Sequence, residues 1–192
     1  MIYLVLGLLI FLGVHSVRML ADGWRTRTLA RRGEAAYKGV YSLVSLAGFG
    51  LLIYGFGLAR QQPVQLWALP FAMKHVASLL MLLSLVLLVA AYVPGNQIKA
   101  RLHHPMLLGV KTWAVAHLLA NGNLAHVVLF GTFLAWAVWS FVAARQRDRA
   151  AKVVYPPGNL PSTLLTVAVG VGAWALLAFW LHGWLIGVRP LG

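Results

Sequence analysis

The sequence predicts an all-α, polytopic membrane protein, a helical bundle of about six transmembrane helices. Of the 192 residues, 61% are hydrophobic and only 10% are charged, a balance outside that of water-soluble domains. Apolar runs of roughly 20 residues recur along the chain, and about 20 helical residues cross a bilayer core of about 30 Å. The chain is therefore expected to form a single lipid-embedded domain over residues 1–192.

Charged or Pro/Gly-rich breaks separate the candidate spans. These spans cover residues 1–20, 37–59, 71–93, 105–120, 124–144 and 162–186. The first span has no basic residue before its apolar stretch and no small-residue cleavage site after it, so we interpret it as a retained helix and not as a signal peptide.

The fourth span is the shortest. It opens at Pro105, which suits the first turn of a helix, and it closes at "NGN", where Gly122 can end one helix and Asn123 can cap the next. Spans four and five are therefore predicted to form a tight antiparallel hairpin. If span four were re-entrant, both the number of spans and the side of the C-terminus would change.

Lysine and arginine are concentrated in alternate connections. The connections after spans one, three and five hold or adjoin twelve of these residues, and the other side has three. The twelve are Arg18, Arg25, Arg27, Arg31, Arg32, Lys38, Lys99, Arg101, Arg145, Arg147, Arg149 and Lys152, and the three are Arg60, Lys74 and Arg189. The positive-inside rule then places the basic connections in the cytoplasm and both termini outside it.

Composition also excludes several kinds of chemistry. The chain has no cysteine, which excludes disulfides, iron–sulfur clusters and thiolate ligation of haem. Its acids, Asp22, Glu34 and Asp148, are all predicted in cytoplasmic loops, so a mechanism based on paired carboxylates within the membrane is not expected. The net charge is +13, but the basic residues that produce it lie beside the apolar spans, where membrane topology places them. Nucleic acid is therefore not an expected partner. The connector 145–161 is interpreted as a solvated loop facing lipid headgroups.

Histidine supplies the polar chemistry inside the spans, where an ionisable side chain is by default a candidate for function. The predicted spans contain His15, His75, His117, His126 and His182, while His103 and His104 stand at the cytoplasmic entrance of span four. His117 precedes the "NGN" turn by about as much as His126 follows it. These two histidines are therefore expected at similar depth on neighbouring helices, where they could share a metal or a water.

One side of span four carries an apolar and aromatic wall that ends in an imidazole. The helical period stacks Met106, Val110, Trp113 and His117 on this side, while Lys111 points elsewhere. Such a wall suits a flat hydrophobic cofactor such as haem. The alternative is a packed helix face with an interfacial histidine. For Lys111 the alternatives are contact with an anionic group or snorkelling towards a headgroup.

Two stretches carry a resemblance to a known family. "FLGVHSVRML" in span one and "HHPMLLGVKTWAVAHLLANGN" around span four resemble the NnrU family, small bacterial membrane proteins that are linked to nitrite and nitric oxide reduction and related to zeta-carotene isomerase. The resemblance implies haem b with axial ligands at His15 and His117, packed beside Trp113. It also implies denitrification enzymes or a hydrophobic small molecule as partners, and a haem-dependent isomerase or redox activity if the protein is an enzyme. His104 and Lys111 are candidates to meet a haem propionate.

The predicted depths leave the ligand pair open. His15 is expected near the cytoplasmic face, and His117 lies roughly 18 to 20 Å from that face at about 1.5 Å per residue. One haem could join these two only with a ligand axis that runs steeply along the membrane normal. His75 or His126 would lie at a more even depth with His117.

Two other functions compete with a haem protein. The first is a cofactor-free accessory or assembly protein for the denitrification enzymes. The second follows from "HHPMLLG", which is similar to the Arg-His-Pro-x-Tyr-x-Gly motif of membrane methyltransferases that hold S-adenosylmethionine. Here His103 replaces the arginine and Leu107 the tyrosine, and the acidic residues that should follow are missing apart from Asp148, so shared ancestry is expected and methyl transfer is not. The oligomeric state stays open, because Gly48, Gly50, Gly55 and Gly57 permit close packing within one chain or between two.

Overall fold

The computed structural model describes residues 1–68, 70 and 72–191, and these residues are mainly helical. The helices are α1 (Ile2–His15), α2 (Val17–Leu20), α3 (Asp22–Arg32), α4 (Glu34–Gln61), α5 (Met73–Tyr92), α6 (Gln97–Leu102), α7 (Pro105–Ala120), α8 (Leu124–Ala150), α9 (Leu160–Leu176) and α10 (His182–Ile186). A π-helical turn at Leu177–Leu181 joins α9 to α10. Within the described residues, β pairing is confined to isolated bridges between Gln65 and Asn123 and between Asn96 and Asn159.

The helical membrane architecture is confirmed, and each predicted span contains an apolar helix. Glu34–Gln61, Met73–Tyr92, Leu124–Ala150 and the continuous stretch Leu160–Ile186 are long and apolar enough to cross a membrane. The helices α1 and α7 have 14 and 16 residues, or about 21 and 24 Å at 1.5 Å per residue. A total of six full crossings therefore stays a prediction. The predicted first residue of span three, Phe71, lies outside the described residues.

The helices also depart from the predicted boundaries. The first span is interrupted at Ser16, whose hydroxyl donates to the Leu12 carbonyl at 2.6 Å before α2 begins. The prediction that all three acids lie in loops is wrong, because Asp22 opens α3, Glu34 opens α4 and Asp148 lies in the last turns of α8. Arginine, glutamine and alanine are good helix formers, so α8 continues beyond its apolar part into residues 145–150.

The chain divides into two compact units. Unit 1 comprises Met1–Leu66 and Asn123–Thr132, and in it α1 packs closely along α4. A Cβ atom at Gly7 would lie 2.5 Å from the Leu52 nitrogen, and one at Gly48 would lie 2.8 Å from the Phe11 nitrogen. These glycines therefore let the two backbones approach each other within one chain, one of the two arrangements that the sequence left open.

Unit 2 comprises Trp67–Gly122 and the chain from Phe133 onwards, and in it α5 packs against α7 and α9. The buried Ser84 hydroxyl donates to the Gly109 carbonyl at 2.8 Å and so ties α5 to α7. The indole nitrogen of Trp174 donates to the Ser78 carbonyl at 3.0 Å and ties α9 to α5. Each of these bonds satisfies a polar group that would be costly to bury alone.

The short helix α6 is held by a buried asparagine. Asn96 is 1% exposed and caps α6, because its side-chain oxygen accepts from the Lys99 backbone nitrogen at 2.7 Å. Its amide nitrogen donates to the Ala90 carbonyl at 2.9 Å. The next residue, Gln97, donates its backbone N–H to the Thr163 hydroxyl at 2.9 Å, so α6 is fixed to both α5 and α9.

Candidate functional site

The histidines are divided between the two units. Unit 1 contains His15 and His126, while unit 2 contains His75, His103, His104, His117 and His182. Among the described residues, no three His, Cys, Asp or Glu side chains come together in a group that could hold a metal ion. A haem iron needs only axial ligands from the protein, so the candidate ligands are considered one by one. The predicted pairs His15 with His117 and His117 with His126 join different units and stay predictions.

The His117 ring is oriented by its own helix. Its Nδ1 lies 2.9 Å from the Trp113 carbonyl oxygen, and because a carbonyl can only accept, Nδ1 carries the proton. In the neutral ring, Nε2 then carries the lone pair that a metal needs. A backbone carbonyl is one of the partners, with carboxylates and waters, that orient histidine ligands through the second ring nitrogen.

The predicted wall beside His117 is present on α7. The rings of Trp113 and His117 lie 5.3 Å apart, as their spacing of four residues predicts. Trp113 also meets Phe133 edge to face at 5.3 Å. On the same helix Ala114 and Ala116 are fully buried, while Trp113, His117 and Met106 keep some exposure, which for Met106 is 39%. The wall therefore belongs to a less buried side of α7.

His15, at the end of α1, shows the same arrangement as His117. Its Nδ1 donates to the Phe11 carbonyl at 2.6 Å, which again leaves Nε2 as the nitrogen with the lone pair. The ring lies 4.2 Å from the Phe11 ring and 5.3 Å from the Tyr41 ring, measured between centroids. Both histidines that the family resemblance implies as ligands thus have the tautomer that a metal ligand requires.

The alternative ligands have less uniform surroundings. His126 directs Nδ1 at the Asn123 side-chain oxygen, which also accepts the His126 backbone N–H at 3.1 Å and so caps α8 as predicted. Its ring meets Phe56 edge to face at 5.1 Å. His75 lies in the first turn of α5, where its backbone nitrogen donates to the Ala72 carbonyl at 3.1 Å. Both histidines remain candidates for the second ligand.

A polar cluster that the sequence did not predict lies where α7 begins. We define the interfacial cluster as His103, His104, Arg145, Asp148 and Tyr155. His104 Nε2 lies 2.7 Å from an Asp148 oxygen, and the Tyr155 hydroxyl donates to the same oxygen at 2.9 Å. The His103 ring stacks on Tyr155 at 4.1 Å, and the Arg145 guanidinium donates to His103 Nδ1. The connector that was interpreted as a solvated loop is therefore attached to the start of α7 through Tyr155.

Two predicted cofactor residues have other contacts in this region. His104 is the residue before Pro105 at the start of α7, so the predicted helix start is confirmed. Because its Nε2 is bonded to Asp148, a haem propionate at His104 would have to compete with a carboxylate. The Lys111 ammonium lies 4.0 Å from the centre of the Phe141 ring, a cation–π contact. The propionate roles of His104 and Lys111 stay predictions.

The interfacial cluster shifts the titration of two of its members. Burial alone would raise the pKa of Asp148, but hydrogen bonds from Tyr155 and His104 and the charges of His104 and His103 outweigh it and lower that pKa. Burial raises the pKa of Tyr155, and its bond to the Asp148 carboxylate and the charge of that group raise the pKa further. The cluster therefore favours an ionised Asp148 and a neutral Tyr155.

This charge state predicts a pH-dependent contribution to stability. A carboxyl whose pKa is lowered by folding stabilises the fold above its unfolded pKa of about 3.9 and loses this effect as pH falls through the folded value. Asp148→Asn should therefore lower the melting temperature in detergent by a few degrees at neutral pH, and the difference from the parent should shrink as pH falls below about 4. Asp22→Asn is the control, since Asp22 pairs with Arg25 only at 3.7 Å on an exposed surface. An equal deficit for Asp148→Asn at acid and neutral pH would contradict the charge assignment.

Comparison with known proteins assigns the chain to one family. Residues 3–190 match the sequence model of a family described as NnrU protein. The match covers nearly the whole chain and includes α1 with His15 and α7 with His117. No curated protein and no solved structure matches the chain.

Proposed function

The chain belongs to the NnrU family, and from that premise we propose that it is a membrane protein that binds haem b through His117 and a second histidine. The observation that carries the proposal is the Trp113 carbonyl on His117 Nδ1, which prepares Nε2 as a ligand. We propose the cofactor and its pair of ligands on the basis of the family and of the helical membrane fold.

The residues present fit the donor chemistry of haem b. Histidine is a common axial ligand of haem iron, and the chain has no cysteine that could replace it. The aromatic face of Trp113 beside His117 can pack against a flat macrocycle. When bound, haem b would supply one-electron redox chemistry. The roles of the chain are to ligate the iron, to fix the imidazole orientation and to surround the site with apolar side chains.

His15 is the first candidate for the second ligand. It shares with His117 a protonated Nδ1 held by the carbonyl four residues earlier, and it is the residue that the family resemblance implies. His126 and His75 are the alternatives that the predicted depths favour. Substitution of each histidine in turn separates these choices.

The physiological role that we propose follows the family resemblance. An NnrU-type protein in the bacterial inner membrane would support nitrite and nitric oxide reduction, either by electron transfer or by a redox-dependent isomerisation of a hydrophobic molecule. The apolar helices that favour contact with membrane lipid support the location. Ligation by two histidines would favour redox chemistry over binding of oxygen.

The test is the haem content of the purified full-length chain. The protein is expressed with an ample haem supply, purified in detergent and assayed as the pyridine haemochrome, which identifies haem b and measures its amount. We expect about one haem b per chain. A well-folded, colourless preparation would contradict the proposal and favour the cofactor-free accessory role.

A further inference from the structure

A basic groove lies within unit 2, beside the interfacial cluster. Its cavity has a volume of about 570 Å³, and α6 and α8 contribute three arginines to its lining, Arg101, Arg145 and Arg149. Its apolar wall includes Leu108, Phe141 and Val142. We define these six residues as the arginine groove.

The three arginines line one cavity, and among the described residues none of them forms an ion pair with a carboxylate. The chain contains only three acids, and each has other partners. Asp22 pairs with Arg25, Glu34 lies 2.7 Å from Lys38, and Asp148 is bonded to His104 and Tyr155. Asp148 lies in the same cluster as Arg145 and directly before Arg149, so it offsets part of this charge, but three arginines against one acid leave the groove net positive.

Like charges that line one cavity repel one another, and an anion would relieve this repulsion. Arg145 and Arg149 are four residues apart on α8, a spacing at which like charges destabilise a helix. Arg101 comes from another helix to the same cavity. An anion within reach of all three would turn this repulsion into attraction, and arginine suits phosphate because its planar fork can donate two parallel hydrogen bonds.

The apolar wall identifies the anion as part of an amphiphile. We propose that the arginine groove binds an anionic membrane phospholipid, with its phosphate between the arginines and an acyl chain along Phe141 and Val142. Phe141 and Val142 lie in the apolar part of α8, and Arg145 follows one turn later, so charge and hydrocarbon meet as they do at a membrane surface. Basic pockets between transmembrane helices on the cytoplasmic side are typical sites for anionic headgroups.

Neighbouring contacts hold the groove in place. One of the Arg145 donors goes to His103, which stacks on Tyr155, so this side chain is oriented while its other N–H groups can serve a ligand. The Asn96 cap fixes the helix that carries Arg101. The Lys111 ammonium on the Phe141 ring adds a fourth positive charge beside the apolar wall. A preorganised site loses less entropy when its ligand binds.

The experiment compares lipids on the full-length protein. Native mass spectrometry in detergent measures binding of dioleoyl phosphatidylglycerol in competition with dioleoyl phosphatidylcholine. The test variant is Arg101→Gln/Arg149→Gln, which leaves Arg145 and the interfacial cluster intact. The matched control is Arg147→Gln/Lys152→Gln, which removes two cytoplasmic charges that do not line the groove. Circular dichroism verifies that both variants keep the parent helix content.

The parent should prefer the anionic lipid. At about 1 kcal/mol per basic residue near a membrane surface, each arginine contributes roughly fivefold, so the test variant should lose up to about thirtyfold in phosphatidylglycerol affinity. The control should stay within about threefold of the parent. Equal binding of both lipids, or equal losses in both variants, would overturn the proposal.

Two further measurements distinguish a phospholipid from other anions that the arginines could bind. Full displacement of the lipid by millimolar inorganic phosphate would mean that the groove takes a free anion, which overturns the lipid assignment. A loss of haem from the test variant with no change in lipid binding would assign the arginines to haem propionates and would also overturn it. Lipid preference in haem-free protein would support the proposal independently of the proposed function.

Discussion

Replacing His117 with alanine is expected to abolish haem binding. The substitution removes the imidazole whose Nδ1 donates to the Trp113 carbonyl and whose Nε2 we assign to the iron. The haem content after purification should fall below about a tenth of that of the parent, and the Soret band should disappear with it. The helix content should stay that of the parent, because the hydrogen bond that is lost joins a side chain to the backbone of its own helix.

His103→Ala is the control for this prediction. His103 belongs to the same unit and is engaged in the interfacial cluster, where it stacks on Tyr155 and accepts from Arg145, so its removal also costs side-chain contacts but touches no proposed ligand. Its spectrum should match that of the parent. If His117→Ala kept the parent spectrum, His117 would not be an axial ligand and the assignment would pass to the remaining histidines.

Replacing Gly55 with alanine is expected to separate α1 from α4. A Cβ atom at Gly55 would fall on the backbone of Leu4, where no side chain can move aside. Overpacking of this kind costs about 1 to 3 kcal/mol, and backbone contacts place Gly55 at the upper end of this range. The melting temperature in detergent should fall accordingly. Since α1 carries His15, haem affinity should fall as well if His15 is the second ligand.

Gly57→Ala supplies the comparison on the same helix. Nothing lies within 4 Å of a Cβ atom at Gly57, and alanine is favoured over glycine inside a helix by about 1 kcal/mol. This variant should be unchanged or slightly more stable. Equal destabilisation by Gly55→Ala and Gly57→Ala would show that the α1 and α4 backbones do not meet at Gly55.

The sequence predicts the helices well because a lipid environment restricts the backbone to few structures. Without water, backbone polar groups must pair within the helix, so each apolar run becomes a helix. Local signals also hold, since Pro105 opens α7 and Asn123 caps α8. The helix ends outside the apolar runs are less predictable. Beyond residue 144 the hydropathy signal ends, but the helix continues because arginine, glutamine and alanine still favour it.

In the candidate site, too, contacts between residues close in sequence were predictable, and contacts between distant residues were not. The contact of Trp113 with His117 follows from helical spacing alone, and the sequence predicts it. The interfacial cluster joins His104 to Asp148 across 44 positions of the chain, a pairing that no local pattern encodes. The sequence offered one signal for this pairing. Asp148 is a single acid among arginines, and the adjacent His103 and His104 stand at the start of a helix. Likewise, the sequence groups Gly55 with Gly57, and only packing shows that Gly55 alone of the two faces α1.

The central claim is that two histidines of this chain hold one haem b. The most direct test is the visible absorption spectrum of the purified full-length protein, oxidised and then reduced with dithionite. Two imidazole ligands make the iron low-spin, so we expect a sharp Soret band and, after reduction, resolved α and β bands. A featureless spectrum from folded, haem-supplied protein would contradict the claim, and a high-spin spectrum would contradict ligation by two histidines.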